Sequence, residues 1–184
     1  MKIERLMRGS VPIVIPYIDV ERKLDLWNEF ALKNNSSCKV KRNVDKTFNR
    51  LIIDISFNNY VINFEESDTN YLRVKCQLES VDFTFYLTFE DLIEKIIKRF
   101  NNREIEIGDK EFDDKYLIVT NDEKKMRGVL SDKKLRNLLI KNNVSNFHLD
   151  HGELFIIGHR QTDTIDELND LLEIIKNIIK RICP

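Results

Sequence analysis

Four carboxylates near the middle of the chain are the residues whose spacing best suits chemistry. They are Asp109, Glu111, Asp113 and Asp114. Hydrolytic enzymes use paired carboxylates to transfer protons or to bind metal ions. No histidine or second acidic cluster stands at a recognisable spacing from these four, and acidic stretches of this kind are more often solvated turns and caps. A hydrolase with an acidic site between Asp109 and Asp114 is therefore the alternative function that we consider.

Three histidines, His148, His151 and His159, stand near two acids and suggest a zinc site. Zinc needs about four ligands at ~2.0–2.3 Å. If residues 151 and 152 form the turn of a hairpin, His148 and His159 are about four residue pairs apart, on the order of 13 Å at ~3.3 Å per residue. One ion cannot bind both, so we expect no metal site and interpret these histidines as polar residues of a hairpin.

Motifs for nucleophilic catalysis and for nucleotide cofactors are missing from the sequence. It contains no G-x-S-x-G, no G-x-G-x-x-G and no G-x-x-x-x-G-K-S/T. The cysteines Cys38, Cys76 and Cys183 are far apart and form no C-x-x-C pair, which argues against a disulfide framework and favours a reducing compartment. We therefore expect no catalytic residue, no cofactor and no metal.

The composition indicates a folded protein without a strong electrostatic field. The chain has 184 residues, with 30 basic and 31 acidic side chains and 42% hydrophobic residues. Charges that nearly cancel do not favour nucleic acid or an anionic membrane as a partner. We predict one α+β domain over residues 1–184, which could divide into sub-halves 19–103 and 104–184.

Hydrophobic periodicity in the first half predicts a helix followed by an antiparallel sheet. Asp19 is a good N-cap for a helix that ends near Asn34 and buries Trp27. Residues 49–87 alternate between β-prone runs and turns, which predicts a four-stranded meander with one wet face. In this prediction residues 65–70 form a polar loop and residues 82–87 form the fourth strand.

The second half is predicted to contain helices and a hairpin. Thr88 is predicted to cap the helix that follows it, and Ser131 is predicted to cap a later helix. Residues 147–157 are predicted to form a hairpin, and Thr164 opens a long C-terminal helix with a capping box. Together these elements predict antiparallel β-sheets with helices packed mainly on one face.

A basic stripe precedes the predicted meander. A lysine-rich stripe is typical of the solvated face of an edge strand, where lysines discourage aggregation, although it could also bind phosphates. Because no glycine-rich loop or interleaved aromatic residue accompanies the stripe, we do not expect nucleic acid as a partner. Its residues are Lys39, Lys41, Arg42, Lys46 and Arg50.

The segment from Val11 to Ile18 is apolar and contains two prolines. It is too short for a membrane-spanning helix and lacks a small-residue cleavage site, so we expect a cytoplasmic protein without membrane insertion. Proline keeps such a segment extended and away from a central strand. The segment either covers the protein's own core or contacts a partner or a second copy. Its candidate contact residues are Val11, Ile13, Ile15 and Tyr17.

The stretch from Gly108 to Thr120 carries the most ordered local signal in the chain. Glycine followed by aspartate favours a turn, and the uncharged run that begins at Tyr116 is typical of a buried strand. Phe112 is a large apolar residue among charges, so we predict that it is buried. The residues of this structural motif are Gly108, Asp109, Phe112, Asp113 and Tyr116.

This pattern resembles the motif G-D-x-x-F-D-x-x-F/Y-x-V of uncharacterised bacterial proteins that share a domain of unknown function. Here Ile118 stands at the last position, and the likeness extends over about residues 71–182. The resemblance implies a bacterial protein with an α+β fold. That family has no established activity, so the resemblance implies nothing about catalysis.

The leading functional prediction is a non-catalytic protein-binding module, of which an immunity-type inhibitor is one form. Small, soluble α+β proteins with few motifs commonly bind a partner, which makes this an argument by association. The protein partner could be another protein or a second copy of the chain. A deep pocket of convergent acids would favour the hydrolase, and a flat exposed apolar patch would favour binding.

Removing residues 1–18 tests the prediction for the N-terminal segment. Burying one aliphatic side chain is worth ~1.5–3 kcal/mol, so we expect the apolar residues of this segment to be held in contact. Sedimentation and thermal unfolding of the full and truncated chains measure this. A dimer that becomes a monomer indicates contact with a second copy, and a monomer that loses stability indicates contact with its own core. Unchanged mass and unchanged melting would contradict both.

Overall fold

The computed structural model describes residues 19–42, 49–79, 81–89, 103–158 and 160–183. Within these residues, nine strands form one sheet and five helices accompany it, which confirms the α+β prediction. The helices are α1 (Val20–Lys33), α2 (Lys110–Asp113), α3 (Glu123–Val129), α4 (Lys133–Lys141) and α5 (Ile165–Ile182). The strands are β1 (Cys38–Arg42), β2 (Asn49–Phe57), β3 (Tyr60–Ser67), β4 (Asn70–Gln77), β5 (Phe85–Phe89), β6 (Arg103–Ile105), β7 (Tyr116–Thr120), β8 (Asn146–Asp150) and β9 (Glu153–Ile157).

The strands are ordered β1-β2-β3-β4-β9-β8-β5-β7-β6, and every neighbouring pair is antiparallel. The predicted meander is confirmed for β2, β3 and β4, but it is wrong for the fourth strand, because the β8–β9 hairpin lies between β4 and β5. A hairpin loop of about two to five residues would keep the two strands adjacent. The longer connection over residues 78–84 instead buries Leu78 and Phe83. The division into two sub-halves stays a prediction.

One face of the sheet carries the core. The inward-facing side chains of the strands and residues from all five helices form one apolar cluster. Phe30 of α1 contacts Phe64 of β3 with ring centroids 5.1 Å apart, in the edge-to-face geometry that aromatic pairs favour. Trp27 is buried in the same cluster, as predicted. The described helices therefore pack on one side of the sheet, and we call the opposite side the open face.

Residues 65–70 do not form the predicted loop, because β3 extends through Ser67. Glu66 is 0% exposed, and its two oxygens lie 2.7 and 2.8 Å from Nζ of Lys23 on α1. The backbone N–H of Thr162 donates to the same carboxylate at 3.1 Å. A buried carboxylate is tolerated when a counter-charge and hydrogen bonds satisfy it. Lys23 and Thr162, which stabilise Glu66 within β3, are both distant from it in sequence.

Several local signals are confirmed. Asp19 accepts a backbone hydrogen bond from the first turn of α1 at 3.2 Å, and Thr164 does the same for α5 at 3.3 Å. Asn58, His151 and Gly152 occupy turns with positive φ, as the predicted hairpins require. Turn and cap chemistry is local, so it could be deduced from sequence.

Two predicted caps are wrong. Asp132, and not Ser131, caps α4 by accepting from the backbone N–H of Lys134 at 2.8 Å, because its carboxylate carries a full charge near the helix start. Thr88 lies inside β5, where its hydroxyl donates to the carbonyl of Ser145 at 2.9 Å.

Two predicted segments cannot be compared with the structure. The helix predicted after Thr88 and the apolar segment Val11–Ile18 both lie outside the described residues. Among the helices that the structure does describe, none combines the length and apolar character needed to cross a membrane.

Phe112 and Tyr116 attach the central motif to the core. Phe112 is 0% exposed, as predicted, and its ring centroid lies 4.7 Å from that of Tyr116. Tyr116 donates its hydroxyl to the carbonyl of Leu139 on α4 at 2.8 Å. Burial raises the pKa of Tyr116, so this hydroxyl stays protonated and remains a donor.

Replacement of Phe112 tests whether the motif anchors the fold. Phe112→Ala is expected to lower the free energy of unfolding by roughly 3–5 kcal/mol, from lost apolar transfer plus a cavity. Denaturant unfolding measures the loss, with Leu32→Ala as the control because Leu32 is 73% exposed. A loss below about 1 kcal/mol for Phe112→Ala would show that the anchor is elsewhere.

Candidate functional site

Two of the four acidic residues of the alternative function, Asp113 and Asp114, line a cleft beside β6 and α2, whereas Asp109 and Glu111 do not. This cleft has a volume of about 350 Å³, and its acidic lining residues are Glu104, Glu106, Asp113 and Asp114. Asp113 is half-buried, and the other three are exposed. The sequence did not indicate that Glu104 and Glu106 join the cleft, because long-range pairing of β6 with β7 brings them there.

Asp113 closes the predicted turn. Its Oδ1 accepts from the backbone N–H of Ile107 at 2.9 Å, and its Oδ2 accepts from that of Gly108 at 2.8 Å. Gly108 has a φ of 83°, a conformation that a side chain would strain. Both oxygens of Asp113 are thus engaged with the backbone, which is the task of a turn-forming carboxylate.

Asp109 joins the turn to α4. Its Oδ2 lies 2.8 Å from Nε of Arg136, and this hydrogen bond holds the pKa of Asp109 below its usual range. Arg136 also donates to the carbonyls of Leu130 and Ser131, at 2.6 and 3.1 Å, where α3 gives way to α4. The motif residues therefore form a structural joint, and the cleft retains Glu104, Glu106 and Asp114 as its exposed carboxylates.

A second cleft, of about 290 Å³, lies where α5 begins and α4 ends. Four of its charges are arranged in opposite pairs. Arg160 lies 3.1 Å from Glu167, and Lys141 lies 2.6 Å from Asp170. Asp166 adds an exposed fifth charge, so the cleft has a small acidic excess.

Two of the three histidines are placed as the hairpin prediction requires. His148 lies on β8 opposite Phe155, and His151 lies at the tip with 96% of its side chain exposed. His159 lies outside the described residues. Across the parts of the chain that the structure describes, no three His, Cys, Asp or Glu side chains are placed to hold one metal ion. The three cysteines are free thiols.

The open face of the sheet presents a continuous row of side chains in register. The row pairs Asp54 with Asn63, Asn63 with Lys75, Lys75 with Phe155, Phe155 with His148, and His148 with Tyr86. Lys75 is exposed and the other five are half-buried. The β5–β8 and β4–β9 pairings assemble this row from three separate stretches of sequence, which are β2 to β4, β5, and the β8–β9 hairpin, and no local sequence pattern indicates it.

Three of these side chains form an aromatic cluster, which consists of Tyr86, His148 and Phe155. Tyr86 and His148 stack with centroids 5.0 Å apart and ring planes 12° apart, and His148 meets Phe155 edge-on at 5.2 Å. Tyr86 donates its hydroxyl to Asp150 at 3.0 Å. Burial lowers the pKa of His148, although Asp150 and Glu153 oppose this, so its ring is neutral at pH 7. The cluster is a set of packed rings with Asp150 at its polar rim.

The part of the open face on β1 to β4 is basic. The alternation of side chains along the strands places five cations and two carboxylates on this part of the face. It also places one apolar side chain there, Val61, that is 54% exposed. At the other end Leu117 and Val119 of β7 face the same way but are buried, so the accessible part extends from β1 to β5. The cations are Lys39, Lys41, Arg50, Arg73 and Lys75, and the carboxylates are Asp54 and Glu65.

Comparisons with known proteins bear on the fold. Neither the protein-family models nor the curated proteins give a match to this chain. Among solved structures, the chain is similar to the crystal structure of the mycobacterial trehalose monomycolate transport factor A, TtfA, with a TM-score of 0.58 and 8% identity. The likeness covers 87% of this chain and 96% of that chain, and at this identity it shows a shared fold. The motif resemblance stays a prediction.

Titration of His148 tests the burial of the aromatic cluster. We expect a midpoint below the usual pKa of 6.5, because protonation would place a charge in a partly desolvated stack. The unfolded chain then binds more protons than the folded one below pH 6.5, so stability declines as pH falls through that value. NMR titration, with the resonance assigned by His148→Gln, measures the midpoint. A value at or above 6.5 would show that the ring is solvated.

Proposed function

We propose that this protein is a non-catalytic protein-binding module and that the open face of its sheet is the binding surface. The observation that carries the proposal is the in-register row on that face, with its aromatic cluster beside exposed Lys75 and with exposed Val61 on β3, two strands from Phe155. Protein interfaces are enriched in aromatic residues at their centre and are polar at their rim.

The packing of the three rings against one another supports binding. Tyr86, His148 and Phe155 hold one another in place through ring contacts, so little side-chain entropy is lost when a partner covers them. The same contacts argue against base stacking, because Tyr86 already occupies one face of the His148 ring and Phe155 makes an edge-to-face contact with that ring as well. A protein partner fits this surface better than a single-stranded nucleic acid.

The structural neighbour supports a role without chemistry. Its name describes a transport factor, and a fold shared with such a protein fits a non-catalytic protein. An immunity-type inhibitor would be a finer version of the proposal, and it requires an enzyme as the partner. The hydrolase stays the alternative, because Glu104, Glu106 and Asp114 are exposed in the cleft beside β6.

Affinity capture with variants of the full chain tests the proposal. The double variant Val61→Glu/Lys75→Glu changes an exposed apolar residue and an exposed lysine on the open face. We expect a partner that is enriched by the native chain to be lost with this variant, because a desolvated apolar contact and a favourable charge are both replaced by negative charge. Quantitative mass spectrometry measures the enrichment.

The control makes the same chemical changes on the helical side. Leu32→Glu/Lys124→Glu replaces an exposed leucine of α1 and an exposed lysine of α3, so it alters net charge by the same amount. It is expected to retain the partner. If the open-face variant retained the partner and the control lost it, the proposal would be contradicted. A hydrolytic activity of the native chain that Asp114→Asn abolishes would favour the hydrolase.

A further inference from the structure

We propose that the outer edge of β1 binds an extended, acidic segment of a partner protein, which adds to the sheet as a further strand. This rests on the proposed function and names the chemistry of the partner. Strand addition uses the backbone of an exposed sheet edge for affinity and the alternating side chains for specificity.

The backbone of β1 has the form that strand addition needs. β1 pairs with β2 over five residue pairs, from Cys38 with Ile53 to Arg42 with Asn49, and among the described residues it is the end strand of the sheet. Every second residue of an end strand directs its N–H and C=O outward. At the opposite end β6 has three residues and carries the exposed acid Glu104. Of the two ends, β1 is the longer and the more basic.

Charge complementarity selects the occupant. Lys39 and Lys41 are exposed and point to the open face, on the side of Ile52 and Arg50 with which they are paired. Lys39 lies 3.1 Å from Asp54, whereas Lys41 has no ion pair with any residue in the described ranges. An added strand with carboxylates at alternate positions would place one beside each lysine. Opposite charges on neighbouring strands attract, and like charges directly opposite repel.

The same lysines disfavour a second copy of this chain. Two β1 strands paired edge to edge would bring Lys39, Lys41 and Arg42 of one copy against those of the other. Lysines on an edge strand are a recognised device against self-pairing. The edge therefore distinguishes partners by charge, because it repels itself and attracts an acidic strand.

A labelled peptide of about seven residues that alternates glutamate with valine, long enough to pair along β1, is the probe. Fluorescence anisotropy with the full chain is expected to show binding at least ~10-fold tighter than for the matching peptide with lysine in place of glutamate. Lys39→Glu/Lys41→Glu is expected to reverse that preference. The control Lys110→Glu/Lys124→Glu, which changes two exposed lysines on helices, is expected to leave it unchanged.

Two further measurements separate strand addition from plain charge attraction. A glutamate peptide that is N-methylated at every residue lacks the N–H donors of both strand edges and cannot pair as a strand in either orientation, so it is expected to lose binding. Amide hydrogen exchange is expected to slow in residues 38–42 when the unmodified peptide binds. Equal binding of the N-methylated peptide, no binding at all, or a dimer of the native chain that Lys39→Glu/Lys41→Glu dissolves would each overturn the proposal.

This inference and the proposed function can fail separately. A partner that depends on Val61 and Lys75, combined with no binding of the glutamate peptide, would leave the open face as the binding surface and remove the role of β1. Peptide binding at β1 without any partner that depends on the open face would do the reverse.

Discussion

An unbroken row of apolar side chains crosses all nine strands and sets the register of the sheet. Each member lies opposite the next, and all face the helices; Cys38 at the edge is half-buried and the rest are buried. Because side chains alternate along a strand, shifting one strand by one residue would turn its member of this row away from the helices and toward the other face. The free-energy cost is ~1.5–3 kcal/mol for each large side chain that loses its burial. The row is Cys38, Ile53, Phe64, Val74, Ile156, Phe147, Leu87, Ile118 and Ile105.

The buried pair of Lys23 and Glu66 is a charged pair within this apolar layer. Burial raises the pKa of Glu66, and the nearby Lys23 ammonium opposes that effect. The pair joins α1 to β3. The backbone N–H of Thr162 donates to the same Glu66 carboxylate, which also ties the segment before α5 to β3. A buried ion pair contributes little net stability, but the loss of one partner leaves an unpaired charge in the core. The pair therefore specifies where α1 lies on the sheet.

The same register that buries one face decides what the other face presents. Once the apolar row faces the helices, Lys75, Phe155 and His148 must face away from them, next to one another. The strongest sequence motif serves the fold instead, because Asp113 closes a turn, Asp109 holds Arg136 and Phe112 fills the core. The proposed binding surface, the open face, therefore contains no sequence motif, whereas the motif from Gly108 to Tyr116 stabilises the fold.

Local chemistry determined much of this protein from sequence alone. The caps at Asp19 and Thr164, the turns at Asn58 and His151, and the burial of Phe112 follow from the preferences of residues for their immediate neighbours.

Long-range pairing decided the rest. The insertion of the β8–β9 hairpin between β4 and β5, the burial of Glu66 against Lys23, and the meeting of Tyr86 with His148 join residues far apart in the chain. The free energy of those contacts depends on which surfaces meet, and a local pattern carries no information about its distant partner. The sequence therefore predicts an antiparallel sheet with helices on one face, and only the tertiary structure assembles the open face and leaves β1 at its edge.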